Sequence, residues 1–530
     1  MTQRTAAVDL VLVNGKVWDG RALPNVDAVA MGSGKIVAVG RGRELGPLGA
    51  ATGRVIDAGG RRIMPGLIDS HVHMVRAGLR WNDLVRWNEV ESLAAALRRI
   101  ETAAAARPEG TWIAVLGGWH PAQFEEDRPP TLAELDRAAP HHPVYVQRGY
   151  TEGFLNSKAL DVVEFGEGSS VDRASGRIAG QPAIAACNAM LELGEFDSRV
   201  DGTRAMLGEF NRLGLTGAID AGGFGMNPDL YEAFFAVHSA GDLSVRTRLL
   251  VGPGHPGGEE DQLSRWMEIA APGSGDDELR YLGAGEVFLF AAHDMEGLDN
   301  RDISGQRAAL AGLFGRLSAA GWPIHVHAIL DRSVGTVLDA FEFAAPQRDG
   351  TELRSAVTHA DQITAGNLHR LADLGLGLTI QNGLAFRGTD SVETWGEDRV
   401  VTSPPLRDIL DLGIPLAAGT DGTVAGSYNP WVCLSWLVSG MPVDGGPHRV
   451  ERQRLGRDEA LSLYTTGSAW FSSEETSRGN LRPGSLADVI VLSSDFLTTE
   501  ERHLSEIHAE LTVVGGKIVH AGTALGQNSA

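Results

Sequence analysis

Cysteine is nearly absent: Cys187 and Cys433 are the only two in 530 residues, far apart and outside any CxxC or cysteine-rich setting. That excludes a disulfide framework and a thiolate metal site, and both are read as small buried apolar residues. Long apolar runs are missing too. No uncharged apolar stretch approaches the roughly 18 residues that cross a bilayer, and the opening MTQRTAAVDLVLVNGKVWDG has no continuous apolar signal region. The expectation is a cytoplasmic chain with no membrane contact. Positive charge is scarce: 46 Lys plus Arg face 68 Asp plus Glu, and a net charge of −22 would repel a phosphate backbone, which argues against a nucleic-acid partner. No fixed-period repeat or low-complexity linker is visible.

What is present is a globular composition, 43% hydrophobic and 22% charged with a mean hydropathy of −0.08. A single core rarely grows beyond about 250 to 300 residues, so at least two packed units are expected. From Val8 to about Asp57 short β-type pieces close on Gly, Asn or Asp, and the same grammar returns in GSLADVIVLSSD and HAELTVVGGKIVHAG near the other end. Two distant ends of one style predict one composite β domain. Between them, Ala-rich helical stretches (SLAAALRRIETAAAA, QRAALAGLFGRLSAAG, RSVGTVLDAFEFAA) interleave with short apolar strands: PVYVQ, GLTGAID, PIHVHA, SAVTHA, GLTIQ and PLAAGTD. That alternation marks parallel βα units, and 252 to 262 and 271 to 278 read as flexible loops.

The strongest local signal is MPGLIDSHVHM, residues 64 to 74, where His71 and His73 sit two apart at a strand end and so face the same way. Two imidazoles projected together can bind a divalent ion, and Asp69 could orient one of them from behind. A bare HxH is weak evidence. It gains weight from His327 in PIHVHAILD and His359 in SAVTHAD, each in a short apolar strand before a helix, because strand ends on one barrel rim converge on one pocket. Asp421, in IPLAAGTDGTV, ends a very apolar strand, where a carboxylate is costly without a metal to bind or a proton to move.

In this order PGLIDSHVH, HAILD, a strand-end His and GTD resemble the amidohydrolase superfamily, across almost the whole chain. The segments GGWHPAQFEEDRPPTLAELD, NSKALD, RLGLTGAID and LRPGSLADVIVL are similar to its family 3 branch, which contains N-substituted formamide deformylases. The resemblance implies an α/β fold: a TIM-like (β/α)8 barrel over residues 63–479, and a smaller β-sandwich built from 1–62 and 480–530. It implies a divalent metal, a general-base Asp421, a small-molecule substrate and a homo-oligomer. Glu286, in LGAGEVFLFAAHD, stands where this branch often carries a Lys that can be carboxylated to bridge two ions. Whether Glu286 bridges two ions or serves one is open. The expected ligand set is His71, His73, Glu286, His327, His359 and Asp421, suited to Zn²⁺, with Mn²⁺, Fe²⁺, Co²⁺ or Ni²⁺ compatible.

Two departures from the branch stand out: Leu330 replaces a Gly before Asp331, and Gly149-Tyr150-Thr151 replaces Asp-Gly-His. His293 with Asp294 is a rival ligand pair to Glu286. His325 is read as a core residue or a support for the ligands, and Asp331 as a helix cap or an acceptor behind the site. His238, His369, His448, His503, His508 and His520 lie outside any metal-like context. Trp119 and His120, in GGWHPAQF, are candidate substrate contacts as readily as packing residues. The expected reaction is hydrolysis of a non-peptide C–N bond: an amide, formamide or cyclic amide. Deamination or lactone or carbamate hydrolysis at the same site is the alternative, and a non-catalytic assembly protein the alternative of another class.

Overall fold

A computed structural model describes residues 7–344 and 353–526. Eight parallel strands form its central sheet: β1 (Leu67–Val72), β2 (Leu215–Asp220), β3 (Arg246–Val251), β4 (Leu279–Glu286), β5 (Ile324–Ala328), β6 (Ala356–His359), β7 (Gly377–Gln381) and β8 (Leu416–Gly419). Each pairs with the next in chain order, the right-handed βα economy expected when helices cross between parallel strands. Just past the strand ends the ring is drawn together as Asp421 N donates to His71 O at 2.9 Å and His73 N to Gly422 O at 3.1 Å. The result is a nearly closed TIM-like barrel. Helices Arg307–Ala319 and Asp331–Ala344 pack outside it, one face of each buried, as the Ala-rich periodicity predicts.

PVYVQ is not a barrel strand. Its residues 144–147 lie in Val144–Arg148, which pairs parallel with Ile113–Leu116 and whose next strand, Glu152–Leu155, returns antiparallel after a tight turn at 149–151. Both belong to a separate five-stranded sheet inserted between β1 and β2. The barrel strands not named in the sequence, β3 and β4, carry Arg246, Arg248 and Arg280. These arginines pair with Asp488 and Glu474 at the floor of the barrel, so the strands lose their apolar signature. Helix Glu259–Ile269 begins inside the stretch expected to be a loop, with Glu259, Glu260 and Asp261 in its first turn favoured by the helix dipole.

Two further sheets involve the chain ends. Leu10–Val13, Ala28–Gly32, Lys35–Gly40 and Arg54–Asp57 form one; Lys16–Val17, Arg62–Pro65, Val489–Leu492, Ala509–Val514 and Lys517–Ala521 form the other. Leu12, Val29 and Met31 of the first share a buried apolar cluster with Ile63, Val491 and Val513 of the second. Cys187 and Cys433 are buried and unbridged, and burial pushes both thiols up to about 12, as expected of packing residues. Among the described residues no helix is long and apolar enough to cross a membrane.

Candidate metal centre

The C-terminal ends of the strands carry the chemistry. His71 is fully buried on β1 and His73 follows at its end, two residues on and on the same side. His73 Nδ1 donates to Gly222 O at 2.8 Å, which leaves Nε2 turned inward. Asp69 does not touch either ring. It accepts from His71 N at 3.0 Å, Thr420 N at 3.1 Å and Thr420 Oγ1 at 2.6 Å, tying β1 to the turn that presents Asp421. Burial raises its pKa, and these donors hold the rise to about 6. The seam is tight: a Cβ at Gly419 would lie 2.6 Å from His71 N, so only glycine fits.

Glu286, at the end of β4, is 4% exposed and sits among four imidazoles. Its Oε2 is 3.4 Å from His71 Nε2, 3.5 Å from His327 Nδ1 and 3.5 Å from His359 Nε2; its Oε1 is 3.3 Å from His73 Nε2. Asp421 Oδ1 lies 3.2 Å from His73 Nε2 and 3.7 Å from His71 Nε2. All six expected ligands therefore come together. His359 and Asp421 hold left-handed backbones, φ +71° and +54°, conformations costing on the order of 1–3 kcal/mol that surrounding structure must impose.

The rival pair His293–Asp294 divides between two roles. His293 stacks on His327 at a ring separation of 3.8 Å and joins Glu286 and His327 as a third possible ligand group. Its Nδ1 accepts from Met295 N, leaving Nε2 available. Asp294 stands behind: it accepts from His327 Nε2 at 2.9 Å and from Leu330 N at 2.9 Å, so that His327 Nδ1 faces Glu286. The Leu330 departure is thus made through a backbone amide. His325 lies one layer lower, against Phe471, and burial lowers its pKa to about 3, keeping it neutral. Asp331 starts helix Asp331–Ala344 and accepts from Thr364 N and Asn367 Nδ2, outside the site.

These donors fit a divalent cation. The gaps of 3.2–3.7 Å are long for hydrogen bonds but match the ~3.3 Å edge of a tetrahedron with bonds of ~2.0–2.1 Å. Both ring nitrogens of His71 and Oε2 of Glu286 are buried with no hydrogen-bond partner, a costly arrangement unless something else binds them. Among the described residues three overlapping ligand groups result: His71–Glu286–His359, His71–His73–Asp421 and Glu286–His293–His327. Burial alone would lower the His73 and His327 pKa values, but Asp421 and Glu286 for the first, and Asp294 and Glu286 for the second, raise them to about 9 and about 10. Burial would raise Asp421, yet the neighbouring imidazoles, His73 foremost, hold it near 2.

A cavity of about 470 Å³, counting the part open to solvent, opens on this cluster. Tyr150, from the inserted sheet, forms part of its wall; its hydroxyl accepts from Arg76 Nη2 at 3.4 Å, so the Gly149-Tyr150-Thr151 departure supplies a polar group of its own. Opposite, Arg387 is held by Glu296 at 2.7 Å and by Asp361, while its Nη1 is buried without a partner. Trp119 and His120 do not reach the wall. Trp119 stacks on Phe124 and donates to Gln147 O, and His120 Nδ1 accepts from Ala122 N to cap a short helical turn. Sequence reasoning passed over Tyr150 as a wall residue and Arg387 altogether; neither sits at a barrel strand end, the position that drew attention to the ligands.

Known proteins resemble this chain along nearly its whole length. The chain is 27% identical over 97% of its length to N-substituted formamide deformylase of Arthrobacter pascens, of which it covers 99%. An uncharacterized metal-dependent hydrolase from Pyrococcus furiosus superposes with a TM-score of 0.68 at 21% identity, covering 92% of this chain and 100% of that one. Atrazine chlorohydrolase from Arthrobacter aurescens TC1, solved with zinc, gives a TM-score of 0.56 at 18% identity over 97% and 95% of the two chains. Residues 54–520 match the amidohydrolase family, and the chain belongs to that family of hydrolases acting on carbon–nitrogen bonds.

Proposed function

We propose that this amidohydrolase cleaves a non-peptide C–N bond of a small molecule, an amide, formamide or cyclic amide, with Asp421 as general base. The observation that carries the reading is the convergence of His71, His73, Glu286, His327, His359 and Asp421 around unpartnered donor atoms at a barrel mouth. Zinc is the cation we assign to them, since the set is nitrogen and carboxylate oxygen with no thiolate, and the atrazine chlorohydrolase neighbour is solved with zinc. When bound, such a cation lowers the pKa of water to about 7 and polarises a carbonyl. The chain's own groups do the rest. Asp421, held ionised well below neutral pH, accepts the proton of the attacking water and passes it to the leaving nitrogen, which is otherwise a poor leaving group. Asp294 keeps His327 aimed, and the Tyr150 hydroxyl, accepting from Arg76, retains its own proton to donate to substrate oxygen. Arg387 Nη1 offers a second donor in the same cavity.

We read the two sheets of the chain ends as one composite β-sandwich, 1–62 with 480–530, beside the barrel at 63–479. The test of the reaction is turnover of an amide panel by zinc-loaded enzyme and its Asp421→Asn variant, with released amine and acid both assayed. A fall of about 10²–10⁴ in kcat supports the assignment. Normal turnover by Asp421→Asn contradicts it, and release of ammonia or alcohol alone moves the substrate class to a deaminated ring or an ester.

A further inference from the structure

A second, larger cavity adjoins the metal centre. It encloses about 1490 Å³, counting the part open to solvent, and Tyr150, Phe224 and Met295 belong to the walls of both spaces. Leu79, Leu84, Leu116, Ile184, Met226 and Leu230 make its lining predominantly apolar. Asn188 and Thr423 also line it, and Arg76 reaches it beside the Tyr150 hydroxyl to which it donates, but three of its polar side chains are engaged with the protein's own backbone. Arg80 donates to Leu191 O and Glu192 O, the Gln147 amide to Gly149 O and the Gln181 amide to Tyr150 O. The cavity at the metal centre, about 470 Å³ on the same measure, is the smaller of the two and is lined mainly by charged and polar residues. Helix Gln181–Ala189 adds Ala185 and Ala189 to the larger wall, four residues apart on one face, both exposed and too small to fill it. An apolar recess of this size on a folded protein marks a binding place for apolar matter.

We propose that this chamber holds a bulky apolar substituent, a long alkyl or arylalkyl group, carried by the amide whose C–N bond is cleaved at the metal centre. The inference rests on the amide-hydrolase reading and deepens it. The position follows from continuity: a substituent leaving the metal cavity past Tyr150, Phe224 and Met295 enters the chamber directly. Its polar end stays with the charged groups of the first cavity, and each methylene it buries in the second strengthens binding about fourfold.

The test takes full-length, zinc-loaded protein and N-alkylformamides from methyl to octyl with phenylalkyl members. It measures kcat/KM and, by isothermal titration, the binding of the same compounds, with Ala185→Trp and Ala189→Trp as separate variants. The expected result is a rise of about fourfold per methylene in both readouts until the chamber is full. Either Trp variant should flatten that rise while N-methylformamide is handled as by the wild type, which also shows the variant is folded. A flat wild-type series in both readouts overturns the chamber. So does an equal loss for short and long compounds in both Trp variants, which would make the space an entrance only. Binding that climbs with length and no turnover of any member supports the chamber and contradicts the amide reading. Turnover independent of length does the reverse.

Discussion

At the scale of single residues, the site is a set of histidines whose free nitrogens are chosen by what holds the other nitrogen. Gly222 O fixes His73, and Asp294 fixes His327. Asp294 never faces the cluster of donors, yet it decides which way His327 points, and removing such a partner usually costs 10–100-fold in metal affinity or activity. Asp294→Asn is therefore expected to weaken zinc binding by about that factor in competition with a chromophoric chelator, with secondary structure unchanged. Unaltered affinity would show that the His327 ring is held without Asp294, by Met295 O at 3.0 Å from its Nε2 and by packing against His293. Five of the six candidate ligands were readable because each stands at or just past the end of a short apolar strand, where an imidazole or carboxylate has no structural excuse; Glu286 ends the Arg-bearing β4 and was picked by its register with the branch's Lys. His293 was weighed only as a rival to Glu286, and the structure places both in the cluster. Tyr150 and Arg387 offered no such anomaly in sequence, since a Tyr in a turn and an Arg in a helix are ordinary.

At the scale of elements, the barrel was legible where strands are purely apolar and hidden where they are not. β3 reads RTRLLV because its first half lies at the floor of the barrel, where Arg248 is bonded by Glu474 at 2.6 and 2.9 Å. Arg478 joins the same carboxylate at 2.8 Å. Burial would raise the Glu474 pKa, but Arg478 and Arg248 outweigh it and hold the group well below the usual carboxylate range. A folded-state pKa below the unfolded value of about 4.3 means that the stabilisation is present above that pH and is lost as pH falls through and below it. Glu474→Gln leaves buried guanidinium charge uncompensated and should cost about 3–5 kcal/mol in chemical denaturation at pH 7. The deficit relative to wild type should shrink as pH drops below about 4.3. A variant as stable as wild type at pH 7 would mean that Glu474 is dispensable to the floor. PVYVQ is as apolar as any barrel strand and does follow a helix from a parallel neighbour, Ile113–Leu116, so the βα pattern is right and only the sheet it joins differs; the tight return at 149–151 is the one local sign of that.

At the scale of the molecule, the chain closes on itself. Val489–Leu492 pairs with Arg62–Pro65 just before β1 begins, and Arg246 of β3 is bonded to Asp488 at 2.8 Å, so the two ends grip the barrel floor while the rim is left for chemistry. The matching β grammar of the two termini was visible in sequence, but their seat at the barrel floor was not, nor was the chamber beside the rim, because it is made by a helix and an insertion whose placement no local pattern specifies. The central claim, that the rim holds a divalent cation through these residues, is tested most directly by elemental analysis of the purified protein grown with ample zinc, beside His71→Ala and Glu286→Ala. The account predicts one to two equivalents of divalent metal per chain in the wild type and a clear loss in both variants; about two, with loss in each, would show that Glu286 bridges. A wild-type protein that carries no metal, or variants that keep the full complement, would contradict it.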